Sequence, residues 1–261
     1  MLGLLLLLGA AACSAPVADE TISAETASTE TTAETQGAET TEESTPELTE
    51  EPVVVFTDDV LEEMVRDAMG MPEGDITIAD AEEVTELDLN MFNVDWSVPR
   101  IEDLSSLQYF TNLTSLNLNQ SLYNEEGSFD ISPLAGLTKL ETLAICCDGV
   151  DDISELSGLV NMKNLEIWGE DNEITDFSPL YGMTQMEDLW LQSLQLSDIS
   201  FVADMPNLWF LNISYTQVTD LTPLSGLTNL RCLYLEDIPT TDYSPLEDIY
   251  PNLEDKDFEM D

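Results

Sequence analysis

The chain has no histidine, and only 6 of its 261 residues are lysine or arginine, against 54 aspartates and glutamates. Each shortage excludes a class of function. Without imidazole there is no Ser-His-Asp or Cys-His nucleophile and no histidine metal ligand. A formal net charge of −48 repels DNA, RNA and anionic headgroups, because binding them needs Lys and Arg to displace phosphate counterions. Nucleic acid is thereby excluded as a partner. A cationic partner, a neutral glycan or a divalent cation remains compatible, and the charge also favours solubility.

Cysteine is scarce too. Setting Cys13 aside, three remain: Cys146, Cys147 and Cys232. An odd number is a poor disulfide framework, adjacent cysteines rarely bond to each other, and the C-x-x-C spacing of a zinc site is missing. All three are expected as free thiols.

The apolar run Leu2–Ala12 is too short to span a bilayer but suits the core of a signal peptide. It ends in Ala10-Ala11-Ala12-Cys13-Ser14, which resembles the bacterial lipobox. That resemblance implies a diacylglyceryl group on Cys13 and an anchor on the outer face of a bacterial membrane. Residues 17–52 are rich in Thr, Glu, Ala and Ser and contain no basic residue. Such a segment cannot bury enough surface to offset its ordering entropy, so an acidic, disordered stalk is expected.

Folding is expected from residue 53. Thr57-Asp58-Asp59 supplies helix-capping acids, Leu61, Met64, Val65 and Ala68 recur at helical spacing, and Gly70 and Pro72 stop the helix. A second helical turn starts at Thr77, with Asp80 in the capping position. From Val84 an apolar-x-x-Leu-x-Leu/Ile pattern recurs: Val84/Leu87/Leu89, Leu113/Leu116/Leu118, Leu140/Leu143/Ile145, Met162/Leu165/Ile167, Met186/Leu189/Leu191, Leu208/Leu211/Ile213 and Leu230/Leu233/Leu235, with a worn copy at Leu253/Lys256/Phe258. The step between copies is 22 to 29 residues. Alternation makes each copy a short strand with leucines inward, and stacked copies make a parallel sheet. The second half of each unit reads apolar-x-Asp-apolar-Ser/Thr-Pro-Leu, as in ITDFSPLYGM (174–183) and VTDLTPLSGL (218–227). There Asp103, Asp130, Asp152, Asp176, Asp198, Asp220 and Asp242 are positioned to cap a short 3₁₀ turn, with Pro fitting its donor-free first positions.

These units resemble the internalin-type leucine-rich repeats of bacterial surface proteins, and residues 56–88 resemble the helical cap of related repeat lipoproteins. The resemblance implies an α/β repeat solenoid: a horseshoe with a parallel concave sheet, convex 3₁₀ and loop segments, and an N-terminal helical cap. It also implies a concave face that binds a protein or a glycan. The organisation expected is a signal peptide at 1–12, a stalk at 13–52, a cap at 53–83 and repeats from 84 to 261. A monomer is expected.

Outward strand positions are small or polar in the first three repeats and become aromatic and acidic later: Glu166 and Trp168, Asp188 and Trp190, Phe210 and Asn212, Tyr234 and Glu236. Such a surface offers stacking faces and acceptors to a sugar, or cation–π and charge pairing to a basic protein loop. A paired-carboxylate glycosidase on Glu166 and Asp188 is the enzymatic alternative. It is disfavoured because an open sheet is expected to supply no desolvation that would raise a carboxyl pKa. The acid clusters at 148–152 and 170–173 suggest calcium but lack the regular spacing of a calcium loop, so no metal or other cofactor is expected. A purely structural envelope scaffold is the other alternative. The lipid anchor has a direct check: radiolabelled fatty acid enters the wild-type chain and not Cys13→Ser.

Overall fold

A computed structural model describes residues 51–260 except 93, 96, 124–128, 147, 148, 170 and 171. The proposed signal and lipid site, nearly all of the stalk, Cys147 and part of both acid clusters lie outside the described residues.

Helix α1 (Asp59–Met69) begins where the sequence supplies its cap. Asp58 accepts from the Leu61 amide, and Gly70, in the left-handed region at φ 66°, ends the helix. The short α2 (Ile78–Glu83) opens with a reciprocal capping box between Thr77 and Asp80. Asp58 also acts at long range. Its second carboxylate oxygen accepts from the amides of Glu102 (2.7 Å) and Asp103 (3.1 Å), which tethers the cap to the first repeat.

Eight parallel strands follow in chain order: β1 (Glu86–Asp88), β2 (Ser115–Leu118), β3 (Thr142–Cys146), β4 (Asn164–Trp168), β5 (Asp188–Gln192), β6 (Phe210–Asn212), β7 (Cys232–Tyr234) and β8 (Asp255–Lys256). This is the leucine-rich-repeat horseshoe. The worn copy does form the last strand, which pairs through Cys232 with Asp255 and Leu233 with Lys256. The central leucines Leu87, Leu116, Leu143, Leu165, Leu189, Leu211 and Leu233 stand in register along the sheet and are buried. Just before each strand one carbonyl accepts from two consecutive amides of the next repeat. The Lys163 carbonyl, for example, takes Glu187 N (2.7 Å) and Asp188 N (2.9 Å). The same bifurcation occurs at Thr85, Thr114, Glu141, Glu187, Trp209 and Arg231.

After the strands the backbone passes through the left-handed region at equivalent positions, Gln120, Ser193, Tyr215 and Asp237. Beyond that, all seven repeat aspartates behave alike. Asp103, Asp130, Asp152, Asp176, Asp198, Asp220 and Asp242 each accept, through Oδ1, from the amide two residues on, at 2.7 to 2.9 Å. Each closes a turn that delivers the chain into a 3₁₀ helix, such as Ser178–Leu180 or Thr222–Leu224. The polar residue beneath the turn is often a hydroxyl: Ser121 and Thr216 each donate to a carbonyl three residues back.

The extra residues of the first repeat are stapled by Arg100, which is 5% exposed and donates to the carbonyls of Val98 and Val94. At the far end Tyr243 stacks on Phe258 (centroids 5.4 Å apart), Tyr250 packs against the same ring, and Lys256 sits over Tyr250. The last strand is therefore covered by a small aromatic cluster. One expectation is corrected here. Cys232, anticipated as a free thiol, is disulfide-bonded. An odd count is a weak argument against a single bridge, because any two of the cysteines can pair whatever the total.

Because one Asp58 carboxylate caps α1 and ties it to the first repeat, Asp58→Ala should cost on the order of 2 kcal/mol. Asp59→Ala, which removes only a first-turn acid, should cost a few tenths. Urea unfolding of both variants checks the difference.

Candidate concave binding face

The ladder registers the outward side chains into rows. One row runs Glu86, Ser115, Thr142, Asn164, Asp188, Phe210, Cys232, Asp255. The next runs Asp88, Asn117, Ala144, Glu166, Trp190, Asn212, Tyr234, and a short third row holds Cys146, Trp168 and Gln192. Seven of the eight residues anticipated at this face lie on these rows. Glu236 does not: β7 ends at Tyr234, and Glu236 is an exposed turn residue. Its amide donates to Asp257 Oδ2 at 2.8 Å.

The aromatics come together diagonally. Trp190 stacks on Phe210 with centroids 5.7 Å apart and planes 20° from parallel, and Phe210 meets Tyr234 at 5.5 Å. Trp209, which precedes β6, closes edge-on against Phe210 at 5.8 Å. Trp168 stays out of this ladder, since its register partner is Gln192 and not Trp190.

Two of the anticipated contact residues are supports. Phe210 is 6% exposed, enclosed by three rings. Asn212 is 5% exposed and bonded on both sides, accepting from Ser214 N and donating to Gln192. Gln192, not anticipated, also accepts from the Trp190 indole N–H at 3.0 Å and so fixes that ring. Extending the strand alternation one step past Trp190 would have found it. Asn119, which donates to Glu166 Oε1 at 3.1 Å, had no such signal, because the two are 47 residues apart.

Charge is the second property of this face. Burial, and then the neighbouring Glu166 charge, push the Asp188 carboxyl up to about 6. Burial also raises Glu166, opposed by the Asn119 amide and by the Trp168 indole. The Trp168 Nε1 lies near enough to act on that charge but makes no hydrogen bond, and it and Asn119 Oδ1 are buried without partners. The expectation that an open sheet leaves these carboxyls undisturbed is therefore corrected. Neighbouring repeats bring Trp190 alongside Glu166 and Phe210 alongside Asp188, and these displace water from the carboxyls. Among the described residues no three of Cys, Asp and Glu converge as a metal-holding group.

Solved structures carry the same architecture. An internalin (inlF) from Listeria monocytogenes superposes with a TM-score of 0.67 at 30% identity, over 80% of this chain and 59% of that one. Internalin C2 from the same organism gives a TM-score of 0.65 at 32% identity, over 79% of this chain and 87% of that one. A leucine-rich-repeat protein of Leptospira interrogans, at 19% identity and a TM-score of 0.54 over 70% of this chain and 44% of its own, shares the fold. No protein-family model and no curated protein sequence matches. At 32% identity to internalin C2 over 87% of that molecule's length, the chain belongs to the internalin family of leucine-rich-repeat proteins.

Proposed function

We propose that the chain is a non-enzymatic binding module that recognises a protein or a glycan through the concave face of its later repeats. The observation that carries this reading is the Trp190–Phe210–Tyr234 ladder lying beside two half-buried carboxyls on an otherwise polar sheet. Trp190 and Tyr234 keep part of their surface open while Phe210 braces them from between. Contiguous aromatic surface held rigid in this way costs little ordering entropy when a partner binds. Display outside a bacterial membrane through a lipid on Cys13, as a monomer, belongs to the same reading. No cofactor is part of it.

The raised Asp188 carboxyl favours a second reading, a carboxylate-dependent glycosidase using Glu166 and Asp188. Against it, both carboxyls are pushed in the same direction, whereas acid and nucleophile roles need environments that drive the two apart. Release of reducing ends from a polysaccharide panel would favour the enzyme.

Two outcomes are expected. Trp190→Ala should weaken a partner recovered from protein and glycan panels by roughly 30-fold, as for a central aromatic anchor, with a cooperative melt retained. Biolayer interferometry reads this, and unchanged affinity rejects the face. The second concerns pH. Asp188 holds its proton more tightly when folded, about 6 against a reference of 3.8. The stability it contributes is thus complete below the unfolded value and is lost as pH rises through the folded one. Asp188→Asn should therefore match wild type near pH 4 and exceed it by about 2 kcal/mol above pH 7, read from melts across that range.

A further inference from the structure

The outward strand positions hold five carboxyls, Glu86, Asp88, Glu166, Asp188 and Asp255, and not one lysine or arginine. The basic residues flanking the later strands are engaged elsewhere. Lys163 pairs with Glu141 at 2.7 Å, Arg231 donates to the carbonyls of Thr228 and Leu230, and Lys256 covers Tyr250. Among the described residues Glu166 and Asp188 are thus two half-buried carboxyls on adjacent strands with no salt-bridge partner.

Their placement is specific. Glu166 registers with Trp190, and Asp188 registers with Asn164. The two carboxyl residues are therefore diagonal neighbours, about 8 Å apart between Cα atoms by the strand spacing and rise. Trp168 follows Glu166 on the same side of β4, and Trp190 follows Asp188 on the same side of β5. A group seated between the carboxyls meets an indole at each. Asn119 Oδ1, an acceptor without a donor, is buried beside Glu166.

We propose that Glu166 and Asp188, walled by the Trp168 and Trp190 rings, seat an arginine side chain projecting from a basic segment of a partner protein. This rests on the concave-face reading above and narrows it. A guanidinium is planar, carries five N–H donors and no acceptor, and is weakly hydrated, so it can fork between two carboxylates while stacking on indole. A lysine ammonium offers charge without the plane. A neutral sugar offers hydroxyls but leaves two carboxyls uncompensated. Complementarity with the −48 chain draws a basic segment in, and the aromatic ladder gives its apolar stem a surface.

Protonation opposes the cation. Asp188 faces Asn164 and Glu166 on β4 and Phe210 on β6, so Glu166 is the titratable neighbour on those strands. With Asp188 titrating near pH 6, affinity for a cation should fall as pH drops through that value, by roughly tenfold between about pH 7 and pH 5.

The test uses the full chain and short Gly/Ser peptides carrying one arginine, one lysine or one citrulline, titrated by tryptophan fluorescence at physiological salt. The arginine peptide should bind at millimolar concentration or below near neutral pH. Citrulline and the variant Glu166→Gln/Asp188→Asn should each weaken binding at least tenfold, while Glu86→Gln/Asp88→Asn at the other end of the sheet should not. Equal binding of citrulline, equal loss in the distal variant, or pH-independent binding overturns the proposal. Lysine matching arginine overturns the guanidinium assignment. If Glu166→Gln/Asp188→Asn leaves intact the binding of a partner that Trp190→Ala weakens, the binding face stands and this inference falls. If neither variant affects that partner, both fall.

Discussion

The interaction on which everything else rests is the parallel hydrogen bonding between successive repeats. A single 22-residue unit has one apolar side and nothing of its own to bury it against. It is stable only when its leucines meet those of its neighbours and its strand finds two partners. The doubly bonded carbonyls at Thr85, Thr114, Glu141, Lys163, Glu187, Trp209 and Arg231 lock each unit to the next at one position of the repeat. Because that lock cannot slip by one residue without turning Leu165 or Leu189 outward, the register is over-determined. Extra residues are tolerated only beyond the strands, and there Arg100 pins the additional loop of the first repeat through two backbone carbonyls.

A stack of open units needs closing at both ends. At the start α1 and α2 cover the first repeat, and a single carboxylate, Asp58, joins the helix cap to the backbone at Glu102 and Asp103. At the finish the Tyr243, Tyr250 and Phe258 rings pack over the last turn, and Asp257 accepts from the amides of Leu235 and Glu236, whose repeat has little strand left beyond it to pair with. Both closures use side chains to satisfy backbone groups that a further repeat would otherwise have met.

The concave face inherits its chemistry from this geometry. Rows of side chains about 4.8 Å apart crowd one another, so rings stack diagonally and carboxyls lose water to their neighbours. In a chain this acidic and this poor in cations, a carboxyl that loses water gains no positive charge in return, and its pKa rises. The same crowding that stiffens Trp190 and Tyr234 into a surface therefore leaves Glu166 and Asp188 in want of a positive charge.

What the sequence determined by itself was whatever depends on spacing within one unit. The inward leucines follow from alternation. The seven aspartate turns follow from a carboxylate two residues ahead of its donor amide, and the limits of α1 from Asp58 and Gly70. These are contacts between residues two to four apart, and their pattern is visible without a neighbour. Tertiary structure decided what depends on residues one repeat or more apart. It set Trp190 against Phe210 and Trp168 apart from both, buried Phe210 and Asn212 as braces, and moved Glu236 off the strand. It also placed Asn119 on Glu166, joined Cys232 in a disulfide and raised the Asp188 carboxyl. The lateral offset between strands and the water displaced by neighbours are properties of the assembled sheet, and no single repeat encodes them.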